Sequence, residues 1–221
     1  MRKHITACLS ALILALAVAC GGGNTTEAPA PPPVAAKGLA YTDPAGSGWR
    51  LVKDASSTST RLVLNLVGPV GVRSRGVGFN LQAGAKVAFG GFANGWHVRD
   101  TGVFQLLNYH RSELFPPEDP EPVFLAAGVR PGNVLTVGVF QKDRLIDAKV
   151  VTQPLLQVAV EFDAAKGLAA GDTVPLTVLK ARMIPEDLGA MAQDGTYNEA
   201  EILAKGKVVD IPLAVGTLKA Q

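Results

Sequence analysis

In 221 residues, 48% of them hydrophobic and 18% charged, there is too much apolar side chain for a disordered chain and enough length for one core-bearing domain of about 180 residues. Without Arg2 and Lys3, which lie in an N-terminal leader, 19 Lys and Arg face 19 Asp and Glu. That balance excludes a nucleic-acid backbone as partner, because phosphate binding takes a basic face, while 24 Gly and 15 Pro favour strands and turns over helices.

Met1-Arg2-Lys3-His4 is a short basic start, and Ile5–Ala19 is apolar except at Thr6, Cys8 and Ser10. Fifteen residues of helix reach about 22 Å, short of the ~30 Å hydrocarbon layer, so the segment reads as a secretory signal and not as a span. It ends in Ala17-Val18-Ala19-Cys20, with Gly21-Gly22-Gly23-Asn24 following. This junction resembles a bacterial lipoprotein signal. The resemblance implies that residues 1–19 are removed and that Cys20 becomes the lipidated N-terminus, carrying a diacylglycerol thioether and an N-acyl chain such as palmitate. Several acyl chains at about 0.8 kcal/mol per buried CH₂ anchor a protein firmly. Gly21 in the next position is compatible with outer-membrane sorting. Cleavage after Ala19 by the ordinary route, leaving a free thiol, is the alternative. Ile5-Thr6-Ala7-Cys8 fits the same local pattern but would leave almost no hydrophobic region before the cut. Once Cys8 has left with the leader, no intrachain disulfide is possible.

Residues 20–37 read as a tether, since Gly and Thr give flexibility and Pro29 and Pro31-Pro32-Pro33 favour extended polyproline II. From residue 38 to 221 the pattern has period two. Leu62, Leu64 and Leu66 share one face of Arg61–Val67, with Arg61, Val63 and Asn65 opposite; Val77, Phe79 and Leu81 alternate in Gly76–Gln82, and Val87 and Phe89 come after them. Leu135, Val137 and Val139 repeat the pattern. Leu156, Val158, Val160 and Phe162 alternate with Gln157, Ala159, Glu161 and Asp163. Val174, Leu176 and Val178 come after a Gly171-Asp172 turn, and Val209, Ile211, Leu213 and Val215 read as the closing strand. Alternation puts one face in a core and the other toward solvent. Seven or more such runs predict an all-β protein, an antiparallel jelly-roll or immunoglobulin-like β-sandwich. Glu186–Gln193 and Asn198–Lys205 read as short helices between the last strands, the second with Asn198 as N-cap, Glu201 three residues on, and Gly206 as its stop. A long loop is expected at 94–133.

RLVLNLVGPVGVRSRGVGFNLQ with the following AKVAF, the later LLQVAVEFDAAKGLAAGDTVPLTVLKARMI, and the final IPLAVGTLKAQ resemble the strand order of cohesin-like domains and related carbohydrate-binding sandwiches. Over roughly 39–221 the resemblance implies a sandwich that works by binding on the cell surface. It carries no binding residue across.

Chemistry-bearing motifs are few. His97 and His110 have Asp100 and Glu113 near them, but nothing in their spacing makes three or four metal ligands converge, so no metal and no cofactor is expected. No G-x-S-x-G elbow occurs, and Glu118, Asp119 and Glu121 lie in a Pro-rich loop that cannot supply the apolar pocket a catalytic acid needs. Gly68-Pro69-Val70-Gly71 and Gly90-Gly91 lack the Lys-Ser/Thr and helix of a phosphate cradle and read as turns. The expectation is a non-enzyme. Asn108–Pro122, NYHRSELFPPEDPEP, is the most unusual stretch, and long loops are uncommon unless functional or disordered. Trp96, Tyr109, His110 and Phe115 are therefore the candidate ligand-binding residues, although packing is the stronger reading for each aromatic taken alone, Trp49 and Trp96 included. The expected partners are the membrane, through the N-terminal lipid, and a protein or glycan of the envelope. An accessory subunit of an envelope or secretion complex, docking by a sheet edge, is the second reading, and a hydrolase the third.

Overall fold

The computed structural model describes residues 31–93, 95–104, 123–141, 147–186 and 208–221, with the backbone alone for Asp100 and residues 123–126. The chain divides into two compact units, Met1–Pro32 and Pro33–Gln221. The strands of the second unit are β1 Leu39–Thr42, β2 Arg50–Lys53, β3 Arg61–Val67, β4 Arg73–Ala83, β5 Val87–Gly90, β6 Val98–Asp100, β7 Val123–Arg130, β8 Val134–Gln141, β9 Lys149–Val150, β10 Leu156–Phe162, β11 Thr173–Val174, β12 Leu176–Pro185, β13 Val209–Asp210 and β14 Thr217–Ala220.

Among the described residues all the strand pairs are antiparallel. A front sheet runs β2-β3-β10, with β5 and β6 succeeding one another along the far edge of β10. A back sheet runs β13-β12-β4-β8-β7, with β9 beside the start of β4. A third runs β1-β14-β11, and Ala214, ahead of β14 in the chain, makes a parallel bridge to Arg50 of β2. The chain crosses between front and back after β3, β4, β6 and β9, and this repeated crossing is the winding of a sandwich.

Period-two alternation explains the core. Leu62, Leu64 and Leu66 of β3 and Leu156, Val158 and Val160 of β10 meet Val77, Phe79 and Leu81 of β4 and Leu135, Val137 and Val139 of β8, each nearly or fully inaccessible. The fold is the all-β antiparallel sandwich expected from these stripes. Trp49 is part of this core.

Four details depart from the linear pattern. The outward positions Val63, Asn65, Gln157 and Ala159 are buried, not solvated, because β3 and β10 are the central strands and neighbouring side chains and loops cover them. The stretch 94–133 is not one long loop: it holds β6, where Val98 is buried, and β7, whose Ala126-Ala127-Gly128 centre shows no alternation of large residues in the sequence. The run 209–215 is not one strand. Val209–Asp210 pairs with β12 in the back sheet, then the chain crosses over at Pro212, and β14 supplies the closing strand further on, at 217–220. At the other end, Val34–Lys37 are already hydrogen-bonded into the domain, through Ala170, Leu168 and Gln221. Cys20 and the two expected helices, apart from Glu186, lie outside the described residues. The 3₁₀ turn Ala164–Lys166 is capped by Asp163, whose carboxylate accepts from the Ala165 N–H, and is ended by Gly167 at φ 65°.

Candidate functional site

Register decides which outward side chains meet. Across the front sheet one row reads Val52, Asn65, Gln157 and Arg99, contributed by β2, β3, β10 and β6. Asp54 stands just beyond the end of β2. Its carboxylate accepts from the Ser56 N–H (2.8 Å), the Ser56 hydroxyl (2.5 Å), Asn65 Nδ2 (2.7 Å) and Gln157 Nε2 (3.1 Å). Gln157 Nε2 also donates to Asn65 Oδ1 at 2.9 Å, and Gln157 Oε1 accepts from the Arg99 guanidinium. These bonds explain how Asn65 and Gln157 are 7% and 5% exposed without penalty. The Ser56 hydroxyl first, then the Ser56 N–H and Asn65, hold the Asp54 carboxyl below its ordinary range.

Beside this row the front sheet carries a second constellation. Arg61 pairs with Glu161 across β3 and β10 and donates to Gly91 O at 2.7 Å. Gly90 permits that ion pair, since a Cβ there would fall 2.5 Å from Glu161 Oε1 and 2.6 Å from the Arg61 guanidinium. The guanidiniums of Arg61 and Arg99 lie 5.1 and 5.6 Å from the centroid of Phe92. A cleft lined by Asp54, Asn65, Arg99, Thr101, Val103, Gln153, Pro154 and Gln157 opens over the polar row.

The outer face of the back sheet is the opposite kind of surface. Its central row pairs Arg182, Gly78, Gly138 and Ala126 in register across four strands, and Gly128 lies in the next row beside Thr136. Gly78 and Gly138 leave the middle without side chains. The result is a trough of about 570 Å³ whose lining includes Asn80, Thr136, Phe140 and Ile184. Four strands at about 4.8 Å spacing make it roughly 14 Å across. Phe140 lies over Gly76, where an added Cβ would collide with the Phe140 Cβ. Among the described lining residues Arg130, Lys180 and Arg182 are cations and none is a carboxylate; Arg182 pairs with Asp210 on β13 at 2.9 Å. Thr136 Oγ1 is buried with no hydrogen-bond partner among the described residues.

Of the candidate residues read from the sequence, Trp96 is 40% exposed, on the connection from β5 to β6 that leads to Arg99, where the Phe92 N–H donates to Trp96 O at 2.8 Å. Tyr109, His110 and Phe115 lie outside the described residues. His97 Nδ1 is buried with no partner among the described residues, and no group of three or more His, Cys, Asp or Glu among them could hold a metal ion. Sequence reasoning does not reach Asp54, Asn65, Gln157 and Arg99, nor the glycines of the trough. Their linear signal is only a polar or small residue at each second position, and it takes register to align them.

No protein-family model matches this chain, and no curated protein does. A solved cohesin module from the Clostridium perfringens ATCC13124 family 33 glycoside hydrolase is similar at 10% identity and a TM-score of 0.37, over 82% of this chain and 93% of that module.

Proposed function

We propose that this protein is a lipid-anchored binding module of the cell envelope, moored through Cys20 and probing its surroundings with the back-sheet trough. It works by association and not by catalysis. The partner is a protein that lays an acidic, extended segment across Gly78 and Gly138. The observation that carries this reading is the trough itself: a floor without side chains at Gly78 and Gly138, the cations Arg130 and Lys180 beside it, Arg182 already paired with Asp210, and no carboxylate in its described lining. A floor of glycines lets incoming side chains reach the sheet backbone, and one sign of charge favours a segment of the other. The leader ending in Ala19-Cys20 supports the export and the anchor, and Gly21 is compatible with outer-membrane placement.

A photo-crosslinking residue at position 138 tests the site in cells, because a Cβ added there meets nothing within 4 Å. Crosslinks to one envelope protein, lost when Arg130 and Lys180 are changed to Glu, support the reading; crosslinking at the level of an exposed control position refutes it. Cys20→Ser tests the anchor. Loss of palmitate labelling and release from the membrane fraction are expected, and unchanged labelling refutes the lipid assignment.

One observation favours a second reading, an accessory subunit assembled by strand addition. β7 is an eight-residue strand at the edge of the back sheet, paired on one side only among the described residues. Under this reading proline at Val129, which also lines the trough, weakens assembly, and Lys180→Glu on β12, away from that edge, leaves assembly intact.

A further inference from the structure

We propose that the polar cleft of the front sheet is a second binding site, independent of the trough, and that it takes a neutral polyhydroxylated ligand: one pyranose unit of a glycan. The cleft is built, not incidental. Asn65 and Gln157 are buried amides locked to each other and to Asp54, and Gln157 in turn holds the guanidinium of Arg99. Phe92 lies against the same guanidinium at 5.6 Å. Arg99 is thus fixed from two sides, so little rotamer entropy is lost when a ligand engages it.

The free valences of this array decide the ligand. Asp54 already accepts four hydrogen bonds, about all that a carboxylate can take, so it has nothing left for an ammonium group. It remains an anion, and an anionic ligand at Arg99 would sit beside it. Arg99 donates one of its five N–H groups to Gln157, Asn65 Nδ2 donates one of its two to Asp54, and the Gln157 and Thr101 oxygens each retain a lone pair. Donors and acceptors stand side by side with their charges already balanced. Vicinal hydroxyls, which donate and accept at once, match that pattern. Val103 and Pro154 supply apolar lining for the C–H face of a ring.

The test uses the full chain in lipid nanodiscs, with the side-chain amide resonances of Asn65 and Gln157 as readout. The probes are neutral tetrasaccharides (a β-1,4-glucan, a β-1,4-N-acetylglucosamine oligomer and an α-1,6-mannan), glucuronate as an anion and glycine as a zwitterion. At least one neutral tetrasaccharide is expected to shift both amides saturably. Arg99→Ala should weaken that binding at least about tenfold, as loss of a charge-assisted donor implies, and Arg99→Lys, which keeps the charge and removes the fork, should weaken it too. Gly138→Trp, which fills the trough, should leave it unchanged, so the two sites fail separately. Shifts with glucuronate or glycine alone, no shift with any neutral probe, or undiminished binding by both Arg99 variants would overturn the proposal.

Discussion

Asp54→Ala is the sharpest probe of how the front sheet holds its buried amides. The carboxylate accepts from Asn65 Nδ2 at 2.7 Å and from Gln157 Nε2 at 3.1 Å, and those amides are 7% and 5% exposed. Truncation strands a donor on Asn65, while Gln157 Nε2 keeps only its 2.9 Å bond to Asn65. Each buried donor left without an acceptor costs about 1–3 kcal/mol, so the pair is worth roughly 2–5 kcal/mol. For a domain of this size that is about 5–15 °C in melting temperature. Asp163→Ala, which removes an exposed cap, should cost about 1 kcal/mol or less and serves as control. Thermal and urea unfolding of both variants measure the difference, and a cycle with Gln157→Ala should give a coupling of about 0.5–3 kcal/mol. The same carboxyl makes a pH statement. Its folded pKa lies below the ordinary value of 3.8, so its contribution is complete above that value and is lost as pH falls below it. The reasoning is refuted if Asp54→Ala melts within about 1 °C of the Asp163→Ala control, since water would then be satisfying both amides.

Three further outcomes are expected. Val160→Asp places an unpaired charge between Leu62 and Phe89 at a fully inaccessible position and should cost about 3–5 kcal/mol or abolish folding, whereas Val129→Asp on the exposed edge should fold; similar melting curves would show that this face of β10 is not core. Tyr41 donates to Leu51 O at 2.9 Å and accepts from the Gly216 N–H at 2.6 Å, and burial pushes its hydroxyl up to about 12 from 10.0. The folded state therefore holds its proton more tightly, so stability should be level below pH 10, decline between pH 10 and 12, and lose this component of the decline in Tyr41→Phe, as pH-dependent unfolding would report. Gly76→Ala forces a Cβ into Phe140 and should cost about 1–3 kcal/mol, while Gly138→Ala meets nothing within 4 Å and should be neutral; equal melting temperatures would contradict the packing of Phe140 over β4.

The inward half of the fold is legible in the sequence because burial on one face imposes an alternation that any reader can count. Leu156, Val158 and Val160 announce β10, and Leu62, Leu64 and Leu66 announce β3. What alternation does not contain is the neighbour. Asn65 and Gln157 read as solvated because each is polar and opposite a Leu or Val, yet they face one another across a central strand pair and end up buried. The same blindness hides the trough. Gly78 and Gly138 are far apart in the chain and unremarkable singly, and only pairing sets them side by side. Phase breaks are a second gap. Between Val178 and Lys180 the register with β4 slips by one residue, which turns Leu179 out to 53% exposure and moves the inward positions to Ala181 and Met183. Pro212 breaks the apparent closing strand in the same way, by having no N–H to continue a ladder. The capped turn Asp163-Ala-Ala-Lys-Gly167 has a purely local cause, since its Asp and Gly stand at the two positions that a short helical turn requires.

A sandwich has one interior and two exteriors, and here the exteriors have gone opposite ways. On the back sheet, side chains are removed from the middle of the face, and the surface gains depth at little cost because Val77, Phe79, Val137 and Val139 still fill the core beneath it. On the front sheet, side chains are added and then bound to one another, so that Asn65 and Gln157 are buried with their hydrogen bonds made. Depth suits a partner that brings its own side chains; a fixed array of donors suits a ligand whose groups must meet them at set distances. Because strand pleating sends alternate residues to opposite faces, each exterior can change without touching the inward stripe. That is the physical reason one small core can carry two unlike outer surfaces, and why the residues that build them stand at the very positions which alternation alone assigns to solvent.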